Sequence, residues 1–259
     1  MSDLPESCRV FAGGPRRAVA LHCSLAHAGA WANLAAALRG LTITAPDLPG
    51  HGRAAPWTGA RSLHDMAYDI ALATLRAQGG AADLIGHSFG ATVALRVALD
   101  HPDLVRTLTL IEPVLFAAAR GDAAFALFAA GYAEVDRHID SAPALAAQAF
   151  HAIWGAGDFA SLPERQRRYM TDRMGLIRAQ NDVLLEDRPG MLAPGRLEGF
   201  DRPTLLIEGA ESPTIVAAIH GALAARLPKV QRHVIGGAGH MLPITHAAAV
   251  AAVMASLVS

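Results

Sequence analysis

The chain has few of the features that mark secreted, nucleic-acid-binding or membrane proteins. Its 259 residues contain two cysteines, Cys8 and Cys23, too few for a disulfide scaffold. The formal net charge is −1 and the basic residues form only short groups, which argues against nucleic acid as a partner. No apolar run is long enough to span a membrane, and residues 1–6 lack the pattern of a signal peptide. These absences predict a cytoplasmic protein that binds neither nucleic acid nor a membrane.

What the chain does contain is apolar sequence arranged in a regular alternation. It is 52% hydrophobic and 17% charged, so a large buried core can form. Helical patterns alternate with short apolar segments, which predicts an α/β fold with a parallel sheet covered on both faces. The first two segments flank Gly13-Gly14-Pro15, a spacing that favours an antiparallel hairpin. The segments that we interpret as strands lie at 7–12, 17–23, 41–46, 82–85, 105–112, 203–208 and 230–235.

The alternation stops after Pro113 and resumes near Pro203. Between them we find only helical patterns, followed by a breaker-rich link at 187–195. This predicts an all-helical cap at 114–198, inserted into a core formed by 1–113 and 199–259. The chain is only 5% aromatic and the cap segment is rich in alanine and leucine, a composition that favours a small apolar acyl or alcohol group as the substrate.

The most informative stretch is Gly86-His87-Ser88-Phe89-Gly90, which follows an apolar strand and precedes a helix. A Gly-x-Ser-x-Gly sequence in this context indicates a nucleophile elbow, a strained turn that projects the serine hydroxyl into a site. The flanking glycines avoid a Cβ where strand and helix cross closely. The helix then directs its free N–H groups and positive dipole end at Ser88.

Together with three further motifs, this stretch resembles the α/β-hydrolase superfamily. The other motifs are His22-Cys23-Ser24, Asp47-Leu48-Pro49-Gly50-His51-Gly52 and Gly237-Ala238-Gly239-His240. The resemblance covers nearly the whole chain. The members that it resembles are esterase- or lipase-like, with a serine nucleophile and a cap. It implies a mostly parallel eight-stranded sheet with helices on both faces and a helical cap inserted after the strand at 105–112, the sixth in the family's order.

The resemblance also implies a catalytic triad in the chain order nucleophile, acid, histidine. Ser88 is then the nucleophile, and His240, in the glycine-rich loop after the last strand, is its base. The family's usual acid position is occupied here by Ser212, which cannot stabilise an imidazolium as a carboxylate does. Glu112, at the end of the strand at 105–112, and Glu211, one residue before Ser212, are the two candidates, and we favour Glu112.

The oxyanion hole needs two backbone donors. Phe89 is the first candidate, since it follows Ser88 at the helix start, and by the resemblance the second is Ser24 or Leu25. Cys23 occupies the family's glycine position, where we interpret it as a small buried residue. Trp31 and His87 are candidates for substrate binding. The chain has 12 histidines, but none has the spacing of a metal motif, so neither a metal nor another cofactor is expected.

The expected partner is a small-molecule substrate. A serine nucleophile forms an acyl-enzyme, which fits an ester, thioester or lactone. Cofactor-free carbon–carbon bond hydrolysis and perhydrolase activity are alternatives, since such members of the superfamily keep the same triad. A third alternative is a non-catalytic ligand-binding protein with this fold, because the usual acid is missing.

Overall fold

A seven-stranded sheet runs through the part of the chain that the computed structural model describes, residues 7–258. Its strands are β1 (Cys8–Phe11), β2 (Arg16–Leu21), β3 (Leu41–Pro46), β4 (Ala82–His87), β5 (Val105–Ile111), β6 (Thr204–Gly209) and β7 (Val230–Ile235). Their order in the sheet is β1-β3-β2-β4-β5-β6-β7. Every pairing is parallel except that of β1 with β3. The described residues therefore form seven strands, where the resemblance implies eight. Residues 1–6, for which no signal peptide is predicted, lie outside the described part.

The predicted hairpin of the first two strands is wrong. β3 lies between them, antiparallel to β1 and parallel to β2. Gly13 and Gly14 carry the chain across the start of β3, where a Cβ on Gly13 would lie 2.4 Å from the carbonyl oxygen of Leu41. The glycines thus permit a close crossing over a third strand, whereas sequence spacing alone indicates only a local turn.

Helices cover both faces of the sheet, as the alternation of elements predicts. The helices outside residues 114–198 are α1 (Ala32–Ala37), α2 (Leu63–Arg76), α3 (Phe89–Asp100), α9 (Thr214–Ala224), α10 (Leu242–Thr245) and α11 (Ala247–Val258). α2, α3 and α9 contribute to one hydrophobic cluster, and α1 and α11 to a second cluster on the opposite face. All six residues of β4 and of β6 are buried, so the centre of the sheet is dry and holds the strand ends rigidly in place.

Between β5 and β6 the described residues form helices and turns but no strand. These helices are α4 (Ala123–His138), α5 (Pro143–Trp154), α6 (Glu164–Thr171), α7 (Met174–Arg178) and α8 (Asn181–Leu184). They have a small hydrophobic cluster of their own, which includes Val135, Ala146 and Met174. The division into a core and a cap at 114–198 stays a prediction. Across residues 7–258, no helix combines the length and apolarity needed to cross a bilayer.

Seven histidines in the described part of the chain are buried, and burial lowers the pKa of five of them. Desolvation lowers the pKa of His22 and His220 to about 4, and the pKa of His51, His64 and His87 to about 3, from an ordinary value of 6.5. Because each folded-state pKa lies below the unfolded value, their contribution to stability is complete above pH 6.5 and is lost as the pH falls. Each protonation costs up to about 1.4 kcal/mol per pH unit in this range.

We therefore expect the protein to unfold in mild acid. The free energy of unfolding of a domain is about 5–15 kcal/mol. Most of it should be lost between about pH 6 and pH 4.5, because several buried histidines become protonated when the chain unfolds. Urea midpoints measured by circular dichroism from pH 7.5 to 4.5 test this. His220 is fully buried, and its nearest ionisable partner among the described residues is Glu208, whose carboxylate oxygen lies 3.4 Å from Nδ1 without a hydrogen bond. It gives the test variant His220→Leu, which should lose stability less steeply than wild type. His246→Leu, at a half-buried site, is the control. Equal midpoints at pH 7.5 and 4.5 in the wild type would contradict the expectation.

Candidate active site

Ser88 lies at the tip of a tight turn between β4 and α3. Its φ and ψ of 56° and −120° are unusual for a residue with a side chain and place the hydroxyl outside the strand and the helix. A Cβ on Gly86 would lie 2.4 Å from the Cα of Ala91, and one on Gly90 would lie 2.2 Å from the carbonyl oxygen of Leu21. Both flanking glycines are therefore required by close backbone crossings, as the elbow pattern predicts.

The loop after β7 brings His240 to Ser88. The Nε2 of His240 lies 3.0 Å from the Ser88 hydroxyl oxygen, and its Nδ1 lies 2.6 Å from a carboxylate oxygen of Glu112. In this arrangement Nδ1–H donates to Glu112 and Nε2 is free to accept the serine proton. All three side chains are buried, with relative exposures of 6%, 5% and 0% for Ser88, His240 and Glu112. The chain thus places a hydroxyl, an imidazole and a carboxylate in line.

Glu112 occupies a position built to hold an anion. It follows β5 in a left-handed conformation with φ 49°, and its Oε1 accepts hydrogen bonds from the Gly209 N–H and from the hydroxyl of Ser212. Burial raises the pKa of this carboxyl, but the hydrogen bonds and charge of His240 and the donors Gly209 and Ser212 outweigh it, so the net pKa is below its ordinary value. Glu112 is therefore ionised at neutral pH.

The two candidate acids are thus separated by geometry. Glu112 contacts His240, whereas Glu211 is exposed and makes no side-chain hydrogen bond among the described residues. Ser212, at the family's usual acid position, instead donates to the carboxylate that contacts the histidine. The absence of Asp at position 212 indicates that a carboxylate must come from another position. Only the fold shows that Ser212 donates a hydrogen bond to that carboxylate, the one of Glu112.

The loop after β2 lies beside the elbow because Gly90 abuts the end of β2. In this loop the Ala26 N–H donates to the carbonyl of Cys23. Among the described residues, the N–H groups of Ser24, Leu25 and Phe89 have no hydrogen-bond acceptor. Ser24 and Leu25 also line the cleft above Ser88. The three candidate oxyanion donors are thus without an acceptor in the part of the chain that the structure describes.

His22 and Asp47 hold this loop in position. His22 accepts from the Leu48 N–H at Nε2, so its proton is on Nδ1, which donates to the Cys23 carbonyl at 2.8 Å. Asp47 accepts from the N–H groups of Ala28 and Arg53. Cys23 is 4% exposed, and burial raises the pKa of its thiol to about 12, so it is an inert small residue in the glycine position.

The two substrate-binding candidates, Trp31 and His87, lie away from the cleft above Ser88. Trp31 is 2% exposed and packs in the hydrophobic cluster on the far face of the sheet. His87 is 3% exposed and its Nε2 hydrogen-bonds the carbonyl oxygen of His240 at 2.8 Å. Neither is among the residues that line the cleft. His87 is the second residue of the Gly-x-Ser-x-Gly pattern and is adjacent to Ser88 in sequence. The sharp turn nevertheless directs it beneath the site, where its hydrogen bond supports the loop that carries His240.

A cleft of about 750 Å³ opens above Ser88 and His240, and helices from the 114–198 segment form one of its walls. That wall includes three aromatic side chains, Phe150, Trp154 and Tyr169. The low aromatic content of the whole chain favours a small apolar group as the substrate. The cleft does not support that expectation, because aromatic residues are concentrated in the segment that forms this wall. More than half of the chain's Phe, Trp and Tyr residues lie at 114–198, at Phe116, Phe125, Phe128, Tyr132, Phe150, Trp154, Phe159 and Tyr169.

Two contacts from the 114–198 segment reach the site, and neither was predicted from the sequence. One comes from Trp154 at the end of α5 and the other from Gln180 in the turn between α7 and α8. The ring of Trp154 lies 4.6 Å from that of His240, centroid to centroid, and the Gln180 Oε1 accepts a hydrogen bond from the Ser24 hydroxyl at 2.9 Å. Neither residue belongs to a sequence motif. The one feature that could have indicated a contact with the site is the position of Trp154, an aromatic residue at the end of a helix. Within residues 7–258, no three His, Cys, Asp or Glu side chains are grouped so as to hold a metal ion.

Curated proteins with similar sequences include a lipase and a hydrolase. Lipase LipV of Mycobacterium tuberculosis is 41% identical over 106 residues, which is 39% of this chain and 39% of the lipase. The chain thus matches well under half of that relative's length. The 2-hydroxymuconate semialdehyde hydrolase of Pseudomonas sp. strain CF600 is 28% identical over 246 residues, covering 85% of this chain and 78% of that enzyme.

Solved structures resemble nearly the whole chain. MenH from S. aureus superposes with a TM-score of 0.73 at 16% identity, over 98% of this chain and 100% of its own. The esterase EaEST from Exiguobacterium antarcticum superposes with a TM-score of 0.74 at 16% identity, over 97% of this chain and 95% of its own. At these identities the likeness shows the fold alone. The model of the family described as the alpha/beta hydrolase fold matches residues 19–247. With that match, and with hydrolases among its relatives, the chain belongs to the alpha/beta hydrolase fold family.

Proposed function

We propose that this protein is a serine hydrolase that cleaves a small carboxylic ester, thioester or lactone through an acyl-enzyme. The observation that carries the proposal is the continuous hydrogen-bonded line from Ser88 through His240 to Glu112. It combines a nucleophile, a base and an ionised acid at the floor of an open cleft, which is the arrangement that acyl transfer requires.

In the first half of the reaction, Ser88 Oγ attacks the carbonyl carbon while its proton moves to Nε2 of His240. The ionised Glu112 accepts the Nδ1–H bond and stabilises the imidazolium that forms. The backbone N–H of Phe89, with that of Ser24 or Leu25, donates to the developing oxyanion. Collapse of the tetrahedral intermediate transfers the Nε2 proton to the leaving alcohol or thiol and leaves an ester on Ser88.

In the second half, a water molecule gives a proton to His240 and attacks the acyl-enzyme through the same oxyanion hole. The returning proton restores Ser88, and the carboxylic acid leaves. The strained conformation of Ser88 keeps its hydroxyl accessible for both halves. Hydrolysis of 4-nitrophenyl butyrate by wild type, and its loss in Ser88→Ala, tests the proposal; that variant is argued in the Discussion.

Carbon–carbon bond hydrolysis with the same triad is the second candidate. It is favoured by the similarity over 85% of this chain to an enzyme named 2-hydroxymuconate semialdehyde hydrolase. A decrease in the absorbance of 2-hydroxymuconate semialdehyde with a kcat/KM above that for 4-nitrophenyl butyrate would favour this candidate.

Perhydrolase activity has no such support from the two curated relatives named above. A non-catalytic binding role is disfavoured by the contact between Glu112 and His240, since it supplies the carboxylate missing at position 212.

A further inference from the structure

The mouth of the cleft carries an excess of positive charge. Arg9 of β1, Arg53 after β3 and Arg165 of α6 all line it, and all three are exposed. Ser88 and His240, in contrast, are buried at its floor. The chain as a whole has a formal net charge of −1, so this concentration of guanidinium groups is local and not a property of the whole surface.

These charges are little compensated within the described residues. Asp47 is the one acidic side chain among the described residues that line the cleft. It is 2% exposed and accepts backbone N–H groups from Ala28 and Arg53. The Nε of Arg53 lies 3.8 Å from the Asp47 Oδ2, and the same guanidinium donates to the carbonyl of Cys8. Arg9 and Arg165 have no ion pair in the part of the chain that the structure describes.

The arginines of α6 differ in a way that supports a role for Arg165. Arg168 pairs with Glu164 at 2.8 Å, one turn away on the same helix, and Arg167 donates to the carbonyl of Ala160. Neither lines the cleft, whereas Arg165 does. Of these three arginines, the one without an ion pair or a side-chain hydrogen bond among the described residues is thus the one that lines the cleft.

From this arrangement we propose that the substrate carries a carboxylate at the end remote from the reacting carbonyl, bound at the mouth by Arg9, Arg53 and Arg165. Guanidinium groups bind carboxylates through charge-assisted, often bidentate hydrogen bonds. A positively charged cleft also raises the local concentration of an anionic substrate. The reacting bond lies at Ser88 while the anion lies at the mouth, so the substrate spans the cleft. This inference rests on the proposed function and specifies its substrate class.

The test compares substrates that differ in charge alone. 4-Butyryloxybenzoate and its neutral amide, 4-butyryloxybenzamide, place the charge on the alcohol side. The 4-nitrophenyl half-ester of adipate and the corresponding adipamate place it on the acyl side. Wild type should prefer the anionic member of at least one pair by about tenfold in kcat/KM, and added salt should reduce that preference. A ratio of one or less in both pairs would overturn the inference.

The matched variants are Arg165→Gln and Arg168→Gln, on one helix. In Arg165→Gln the anionic-to-neutral ratio should fall about three- to tenfold, while Arg168→Gln should keep the wild-type ratio. Because each ratio is measured within one preparation, partial loss of folded protein cancels. An unchanged ratio in Arg165→Gln, Arg9→Gln and Arg53→Gln would also overturn the inference.

Binding without turnover separates this inference from the proposed function. Ser88→Ala retains the three arginines, so calorimetric titration should show tighter binding of 4-butyryloxybenzoate than of 4-butyryloxybenzamide. If wild type hydrolyses neither ester while this difference persists, the proposed function fails and the anionic subsite stands. If wild type hydrolyses both equally and Ser88→Ala binds both equally, the function stands and the subsite fails.

Discussion

Ser88→Ala should lose at least about 10³-fold in kcat toward short-chain activated esters. The variant retains the elbow, the histidine and the oxyanion donors but has no oxygen to form an acyl-enzyme. What remains is the residual catalysis that binding and oxyanion stabilisation provide. The measurement is the initial rate with 4-nitrophenyl butyrate under saturating conditions, with the folded fraction checked by circular dichroism.

Ser161→Ala is the control for this variant, since Ser161 is exposed and does not line the cleft. It should have wild-type kcat. Activity of Ser88→Ala within a few-fold of wild type, in folded protein, would contradict the assignment of the nucleophile. Activity absent from the wild type as well would contradict ester hydrolysis itself.

Glu112→Gln should lower kcat on the order of 10²- to 10⁴-fold while leaving the fold intact. A glutamine can still accept the Gly209 N–H and the Ser212 hydroxyl at its carbonyl oxygen. Its NH₂ group would then face Nδ1 of His240, where it donates and cannot accept. The ring is driven to the tautomer with the proton on Nε2, which cannot take the serine proton, and the imidazolium loses its counter-charge.

Glu211→Gln is the matched control, because Glu211 is the other sequence candidate and is exposed. It should change kcat by less than about threefold, as surface substitutions away from a site generally do. If Glu211→Gln were the crippling change and Glu112→Gln stayed active, the acid would lie after β6, one residue before its usual position in the family. The two variants thus decide between the alternatives that the sequence leaves open.

The part of the site that could be predicted from sequence is the part that local backbone geometry imposes. Gly86 and Gly90 are glycines because strand and helix cross there, so the elbow at Ser88 is recognisable in five residues. His240 is predicted by the resemblance of Gly237-Ala238-Gly239-His240 to the family's histidine loop. A carboxylate at the end of a buried strand needs a partner, which favours Glu112; in the structure its Oε2 lies 2.6 Å from Nδ1 of His240.

The parts that could not be predicted depend on residues far apart in the chain. To predict that the connection from β1 to β2 crosses the start of β3, one must know which strand lies under Gly13 and Gly14. Trp31 and His87 have the chemistry of pocket residues, but the turn at Ser88 and the packing of α1 direct them elsewhere. The arginines of the cleft come from β1, from the loop after β3 and from α6, so no sequence window contains two of them.

The central claim is that the contacts of Ser88 with His240, and of His240 with Glu112, activate the serine. Labelling by a fluorophosphonate probe, followed by peptide mass spectrometry, tests it most directly, because the probe reacts with an activated serine irrespective of the natural substrate. The account predicts one adduct, on the peptide that contains Ser88, formed rapidly in wild type, much more slowly in Glu112→Gln and not at all in Ser88→Ala. A folded wild-type protein in which Ser88 remains unlabelled, or in which Glu112→Gln labels at the wild-type rate, would contradict it.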